Sequence, residues 1–378
     1  MIVLKDDIRR FLRLRKSGRL ARFSSEKRSR TRRRIIARFT CGRRLPSAVA
    51  GWCTRLTASP VQRARLAEII RGHASPEQLR DSRWLRRIKR DVYYTEYHDR
   101  ISADEYFRYG FEYLSPSGRH KYVGNAELSR LRKLGAPPLT NDKYESYLAF
   151  KPYYQREALL IRGREDLADL RAFCTRHPVF FFKPLSAAGG HGVQRVDASD
   201  MTDEEREDLL SGLIDRYCSA IAEQPIIQAE GMARFHPASI NTIRVVSLKK
   251  DGKLEVIQTS VRLGTGESVV DNGCLSASVD TETGIITSPG RAAHEKGLYL
   301  RHPDTGVQIL GSAIPQWPEL LAQVEEQMGL FEGNCLIGWD MAYSVDGWVV
   351  VEVNSFPAIQ TLAGNGVGVR DLFERILR

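Results

Sequence analysis

Ile337-Gly338-Trp339-Asp340-Met341-Ala342-Tyr343-Ser344-Val345-Asp346-Gly347-Trp348-Val349-Val350-Val351-Glu352-Val353-Asn354 is the stretch on which the fold turns. Asp-Gly between two alternating apolar runs is a strong hairpin signal. Side chains alternate faces with period two, so the register decides which residues stand together. A two-residue loop at Asp346-Gly347 would oppose Asp340 to Val353 and mix polar with apolar on both faces. A three-residue loop, Val345-Asp346-Gly347, opposes Ser344 to Trp348 and Asp340 to Glu352. Trp339, Met341 and Tyr343 then face Val349, Val351 and Val353, leaving Asp340, Glu352 and Asn354 together on the other side. The apolar pattern therefore predicts the second register, with Gly347 left-handed. Two carboxylates on facing strands repel unless protonated or bridged by a cation. Hard oxygen donors suit Mg²⁺, which takes few protein ligands and completes its shell with water and phosphate. Asp340, Glu352 and Asn354 are thus candidate metal ligands; an acidic surface face is the plainer alternative.

Working outward, Gly135-Ala136-Pro137-Pro138 marks a boundary. Asn141-Asp142-Lys143-Tyr144 opens a short helix, and 179–183 reads as an apolar strand ending in Lys183. A Gly-rich turn and a strand near 193–196 follow. Thr202 and Glu205 form a capping box, predicting a helix to about Glu223. Pro225 to Gln228 reads as the next buried strand, and 242–248 with 254–262 as a hairpin across Asp251-Gly252. A helix over 316–328 precedes the last hairpin, and a terminal helix closes the chain. Residues 45–135 read as mainly helical, with Ser75-Pro76-Glu77 as a helix start and the aromatic stretch from Asp91 to Tyr113 as core.

With these segments in order, the chain resembles the ATP-grasp superfamily, most closely its sugar-transfer-associated branch. The resemblance rests on Asn141-Asp142-Lys143; on Phe182-Lys183-Pro184-Leu185-Ser186-Ala187-Ala188-Gly189-Gly190-His191-Gly192; and on Ile226-Ile227-Gln228-Ala229-Glu230. It continues through Ser239-Ile240-Asn241-Thr242-Ile243-Arg244, Val261-Arg262-Leu263-Gly264, Val270-Asp271-Asn272-Gly273 and His302-Pro303-Asp304-Thr305-Gly306, and ends at Asp340, Glu352 and Asn354. It implies an α+β ATP-grasp fold, two α+β lobes enclosing ATP, preceded by a helical region and a basic arm. The domains expected are 1–44 as arm, 45–135 as helical region and 136–378 as catalytic region, with lobes 136–230 and 231–378. The resemblance also implies the roles. Lys143 and Lys183 offset charge on the α- and β-phosphates, and the loop of Ser186, Gly189, Gly190 and Gly192 covers the phosphates. Gln228, Glu230 and Asn241 serve the nucleotide. Asp340, Glu352 and Asn354 hold two Mg²⁺ ions, and Arg244 and Arg262 stabilise the transferring phosphoryl group. His302 is the favoured acceptor or base residue, with His294 and Lys296 behind it. The activity implied is an ATP- and Mg²⁺-dependent carboxylate–amine ligase forming an amide through an acylphosphate. Its implied substrate is a carboxylated sugar or cell-surface polysaccharide precursor. A kinase acting on a hydroxyl, and a non-catalytic protein binding nucleic acid or membrane, are the competing classes. His191 stands where relatives carry Lys or a small residue, which would make activity pH-dependent if it met the phosphates only when protonated; Cys274 and Leu275 stand where relatives have small residues or glycines, which bears on substrate identity.

The chain has 378 residues and a net charge of +11. That charge sits on an arm: residues 1–44 hold 17 Lys and Arg against Asp6, Asp7 and Glu26, whereas the remaining 334 hold 40 basic against 43 acidic residues. The arm reads as a solvated segment, a basic amphipathic helix on anionic lipid or an acidic partner, or a transit peptide; no specific nucleic acid is expected. The six cysteines form no C-x-x-C pair and read as reduced thiols. No apolar run is long enough to span a bilayer. A cytoplasmic protein, peripheral to the inner membrane surface, acting on small-molecule carboxylate and amine substrates is the expectation.

Overall fold

The computed structural model describes residues 60–134, 142–185, 192–217, 219–267, 274–292, 297–355, 357 and 369–377. The chain divides into two compact units, one of Met1–Arg119 with Val123–Glu127, the other of His120–Tyr122 with Leu128–Arg378.

The described part of the first unit is helical. It contains α1 (Pro60–His73), a short helix Pro76–Arg80, α2 (Ser82–His98) and a further helix Ala103–Arg108. Ser75 caps Pro76–Arg80 as the sequence predicts: its Oγ accepts from Gln78 N at 3.2 Å, and the Gln78 side chain accepts from Ser75 N at 2.9 Å. The aromatic stretch is core, with Tyr93, Tyr106, Phe107 and Phe111 buried. Arg119 binds Asp91 through two nitrogens at 3.0 and 2.7 Å and lies over the rings of Tyr106 and Phe111. The Tyr106 hydroxyl donates to the same carboxylate at 2.6 Å.

The second unit holds two antiparallel sheets. Its elements are α3 (Lys143–Ala149), β1 (Ala158–Ile161), α4 (Leu167–Arg176), β2 (Val179–Pro184), β3 (Gln194–Asp197), α5 (Asp203–Arg216), β4 (Ala220–Glu223), β5 (Thr242–Lys250), β6 (Lys253–Leu263), β7 (Leu275–Val279), β8 (Arg291–Ala292), α6 (Trp317–Gly329), β9 (Cys335–Ser344), β10 (Gly347–Asn354) and α7 (Arg370–Leu377). The smaller sheet has the order β1-β4-β2-β3, and α4 and α5 pack on it through Phe173, Leu210 and Ile214 against Phe180 and Phe182. The larger has the order β10-β9-β5-β6-β7-β8. One face carries Ile243, Val261, Leu275, Trp339 and Val350 into a core shared with Leu320 and Val324 of α6.

The β5–β6 hairpin turns at Asp251 (φ 51°) and Gly252 (φ 77°), the left-handed pair that an Asp-Gly two-residue turn needs. The capping box at Thr202 and Glu205 opens α5 as predicted. The predicted end of that helix is corrected. It stops at Arg216, and Ala220 to Glu223 form β4, each 4% exposed or less. A strand between β1 and β2 is covered on both faces, so four consecutive residues are buried; a surface helix would expose at least one. The buried strand predicted at 225–228 is corrected too. That stretch is extended but pairs only through an isolated bridge, Gln228 to Ser344, and Ile227 is 67% exposed. Among the described residues Cys174, Cys274 and Cys335 form no disulfide, and no helix is long and apolar enough to cross a membrane.

Candidate functional site

The β9–β10 hairpin opposes Asp340 to Glu352, as the apolar pattern predicts, but by another device. Gly347 (φ 108°) already pairs with Ser344, Trp348 with Tyr343 and Val350 with Met341. Continued unbroken, that register would put Val351 opposite Asp340 and turn Glu352 toward the apolar face. A β-bulge between Val350 and Glu352 leaves Val351 unpaired and brings Glu352 opposite Asp340 and Asn354 opposite Gly338. The predicted three-residue loop is therefore corrected to a tight loop plus a bulge.

Residues directly opposite on neighbouring strands point to the same face. Arg244 pairs with Asp340 on one side and Ser260 on the other. Thr242 pairs with Arg262, Arg262 with Ser276, and Ser276 with Arg291. The face of the larger sheet away from its core is thus a polar floor: carboxylates on β9 and β10, then arginines and hydroxyls toward β8.

Asp340, 4% exposed, accepts from Arg244 Nε at 2.5 Å and Nη2 at 2.7 Å, with Arg262 Nη1 at 3.7 Å and Asn354 Nδ2 donating at 3.3 Å. Burial alone would push its carboxyl up, but the Arg244 and Arg262 charges outweigh that and hold it below the usual carboxylate range. Glu352 is the reverse case. Burial and the neighbouring Asp340 charge raise its carboxyl, and Lys143, with Nζ 4.0 Å away, only partly compensates.

Lys183, next to last in β2, donates through Nζ to Glu223 Oε2 at 2.9 Å. The same oxygen accepts from Arg156 Nε at 3.0 Å and Nη2 at 2.8 Å. Burial pushes Glu223 up, but Lys183 and Arg156 outweigh it and hold it down to about 2. Neither Glu223 nor Arg156 was expected at the site. The signal available was a glutamate inside a buried run, which requires a cation partner.

Three residues predicted to touch ligand or substrate are consumed inside the fold. Asn241 is fully buried; its Nδ2 donates to Met232 O and His236 O at 3.0 and 2.9 Å, and its Oδ1 accepts from Gly264 N at 3.2 Å. Gln228 accepts from Asn241 N at 2.7 Å and donates to Ser239 O at 3.2 Å. His302 is 1% exposed, its Nε2 donating to Gly264 O at 2.7 Å and its Nδ1 accepting from Asp304 N at 3.3 Å. Both ring nitrogens of His302 are thus hydrogen-bonded within the fold. These contacts pin the turn after β6, with Asp304 accepting from Gly266 N at 2.7 Å and Thr305 donating to Phe235 O at 2.9 Å. Gly264 is required there, because a Cβ would overlap Ser239 Oγ and His236 Nδ1. The structure thus places the His302 ring and the Gln228 and Asn241 side chains, all three predicted to serve nucleotide or acceptor, in the scaffold of that turn.

Burial lowers the His302 pKa from its ordinary value near 6.5. A ¹H–¹⁵N imidazole spectrum at pH 7 is expected to show His302 as the neutral Nε2–H tautomer, and a doubly protonated ring would contradict the hydrogen bonding described. Because the folded value is depressed, its neutral burial favours the fold above about pH 6.5 and ceases to as pH falls below that.

Glu230 is exposed at the start of the short helix Glu230–Ala233. Gly192 (φ 77°) closes on Pro184, whose Cγ would lie 2.9 Å from an added Cβ. Ser186, Gly189, Gly190, His191, Asp271, Asn272, Gly273, His294 and Lys296 lie outside the described residues.

A family model described as sugar-transfer associated ATP-grasp matches residues 153–377. Among solved structures, the chain is similar to D-alanyl-alanine synthetase A from Vibrio cholerae O1 biovar eltor: 14% identity, 63% of this chain and 64% of that chain covered, TM-score 0.39. It is also similar to D-alanine–D-alanine ligase from Helicobacter pylori (14% identity, 63% and 60% covered, TM-score 0.38). A third is N5-carboxyaminoimidazole synthetase from Staphylococcus aureus complexed with ADP (8% identity, 62% and 52% covered, TM-score 0.39). The chain thus spans less than two thirds of each of these proteins. No curated protein compared with it matches.

Proposed function

The chain belongs to the sugar-transfer associated ATP-grasp family, and from that premise we propose that it is an ATP- and Mg²⁺-dependent carboxylate–amine ligase. The observation that carries the reading is the opposition of Asp340 and Glu352, with Asn354 beside them and Arg244 and Arg262 on the same polar floor. The donor set fits Mg²⁺: all three side chains offer hard oxygens, and two of them are carboxylates opposed on neighbouring strands. Asp340, Glu352 and Asn354 would hold the metal, whose chemistry is to neutralise β- and γ-phosphate charge.

In the proposed reaction a substrate carboxylate oxygen attacks the γ-phosphorus of ATP and ADP departs. The amine then attacks the acyl carbon of the acylphosphate, phosphate leaves, and the amine loses a proton as the amide forms. The protein's part is positioning and electrostatics. Lys143 and Lys183 would offset charge on the α- and β-phosphates. Arg244 and Arg262 draw charge from the transferring phosphoryl group while keeping Asp340 ionised. Glu230 meets the ribose. The carboxylate substrate would be a sugar acid or polysaccharide precursor. The basic arm would hold the enzyme at an anionic surface of the cytoplasmic face.

Purified protein with ATP, Mg²⁺ and pooled sugar acids and amino acids provides the test. ADP and free phosphate released in equal amounts, only when both a carboxylate and an amine are present, is the expected result. ADP with a phosphorylated product and no free phosphate would replace the ligase reading with a kinase.

A further inference from the structure

The bulge at Val351 has an owner. A bulge disrupts the ladder, and the backbone groups it frees need other partners. β10 is the edge strand of its sheet, and one side chain meets the carbonyls at the bulge: Arg156 Nη1 donates to Val350 O at 2.6 Å and Nη2 to Val351 O, on the unpaired residue, at 3.3 Å. The guanidinium also donates to Tyr154 O at 3.2 Å and lies 4.5 Å over the Tyr154 ring. Its charge is met by Glu223, the carboxylate that also holds Lys183. Arg156 is 8% exposed, so neither its carbonyl partners nor its charge is left to solvent.

We propose that Arg156 is a positioning residue that sets the register of the metal hairpin: its fork on the Val350 and Val351 carbonyls stabilises the bulge that turns Glu352 onto the polar floor. Without the fork, the competing arrangement is the unbroken ladder, in which Val351 faces Asp340 and Glu352 faces the apolar core. Through Glu223 the same side chain ties that register to Lys183 on β2, so the metal-facing and phosphate-facing groups are placed by one buried cluster. This inference rests on the Mg²⁺ site proposed above, but the hairpin register can be observed without it.

The test is Arg156→Lys, alone and combined with deletion of Val351. Lysine keeps a positive charge for Glu223 but cannot fork across two carbonyls. Deleting Val351 removes the unpaired residue, so that Val350 opposite Met341 is followed directly by Glu352 opposite Asp340, with no bulge to support. Mn²⁺ is the probe, its affinity in the presence of ADP read from the free-ion electron paramagnetic resonance signal. Cross-strand contacts of residue 340 are read by NMR, and thermal melting reports the fold. Arg156→Lys is expected to weaken Mn²⁺ by about 10- to 100-fold, the usual range for groups that orient metal ligands, and to lose the Asp340–Glu352 contact. The deletion in the Arg156→Lys background is expected to restore both. Retention of the Asp340–Glu352 contact and of Mn²⁺ affinity in Arg156→Lys would overturn the inference, as would a loss that the deletion fails to rescue. Wild-type protein that keeps the contact but binds no Mn²⁺ would instead sink the metal site and leave the register claim to the NMR readout.

Discussion

Glu352→Gln is expected to lower turnover by about 10³-fold, roughly 4 kcal/mol of transition-state stabilisation, without unfolding the protein. Glutamine keeps the shape and half-buried position of the side chain but removes the charge that would meet Mg²⁺. The stability effect should run the other way. In the metal-free protein burial and Asp340 raise the Glu352 carboxyl above its ordinary value. A group with a raised folded pKa favours the fold most when protonated, and that advantage is lost as pH rises through the folded value. At neutral pH without metal, the Gln variant should therefore melt at the same temperature as wild type or slightly above it. Lost turnover with an unchanged or raised melting temperature separates a ligand from a structural carboxylate. Lost turnover with a collapsed melting temperature would assign Glu352 to the fold instead.

Glu223→Leu is expected to destabilise the protein by about 3–5 kcal/mol, the cost of leaving a buried charge without its partner. Arg156 would keep its carbonyl bonds but lose its counter-charge, and Lys183 would lose the oxygen 2.9 Å from its Nζ. The wild-type protein should also show an acid step belonging to Glu223. Its folded pKa of about 2 lies below the ordinary 4.5. The stability it contributes is complete above about 4.5 and fades as pH falls toward about 2. Denaturant midpoints measured from pH 6 to pH 2.5 would show that fall in wild type and a shallower one in the variant; parallel curves would contradict the buried cluster.

Much of the site was legible because its signals are periodic. The apolar alternation around Asp346-Gly347 selects a face for Trp339, Met341 and Tyr343, and so places Asp340 on the other side with Glu352. The bulge was not legible. Val349, Val350 and Val351 are chemically identical, and nothing in three valines says which is skipped; the choice is made by Arg156, far away in sequence. β4 was missed for a related reason. Ala220 to Glu223 follow a well-capped helix with residues that also suit helices, and only their position between β1 and β2 makes them strand. The His302 motif was recognised as a motif, but its role depends on burial. A histidine whose two ring nitrogens meet Gly264 O and Asp304 N–H is a brace, and the sequence shows the ring without its partners. The turn contacts of Gln228 and Asn241 are equally hidden in the sequence, since amides serve ligands and turns with equal ease.

The central claim is a metal-dependent ATP site on the polar floor of the larger sheet. Calorimetric titration of a non-hydrolysable ATP analogue into the protein, with and without Mg²⁺, and into Asp340→Asn, tests it most directly. The account predicts saturable binding to wild type that tightens with Mg²⁺, and binding to the variant that Mg²⁺ no longer tightens. Binding absent from wild type, or equally responsive to Mg²⁺ in both proteins, would contradict it.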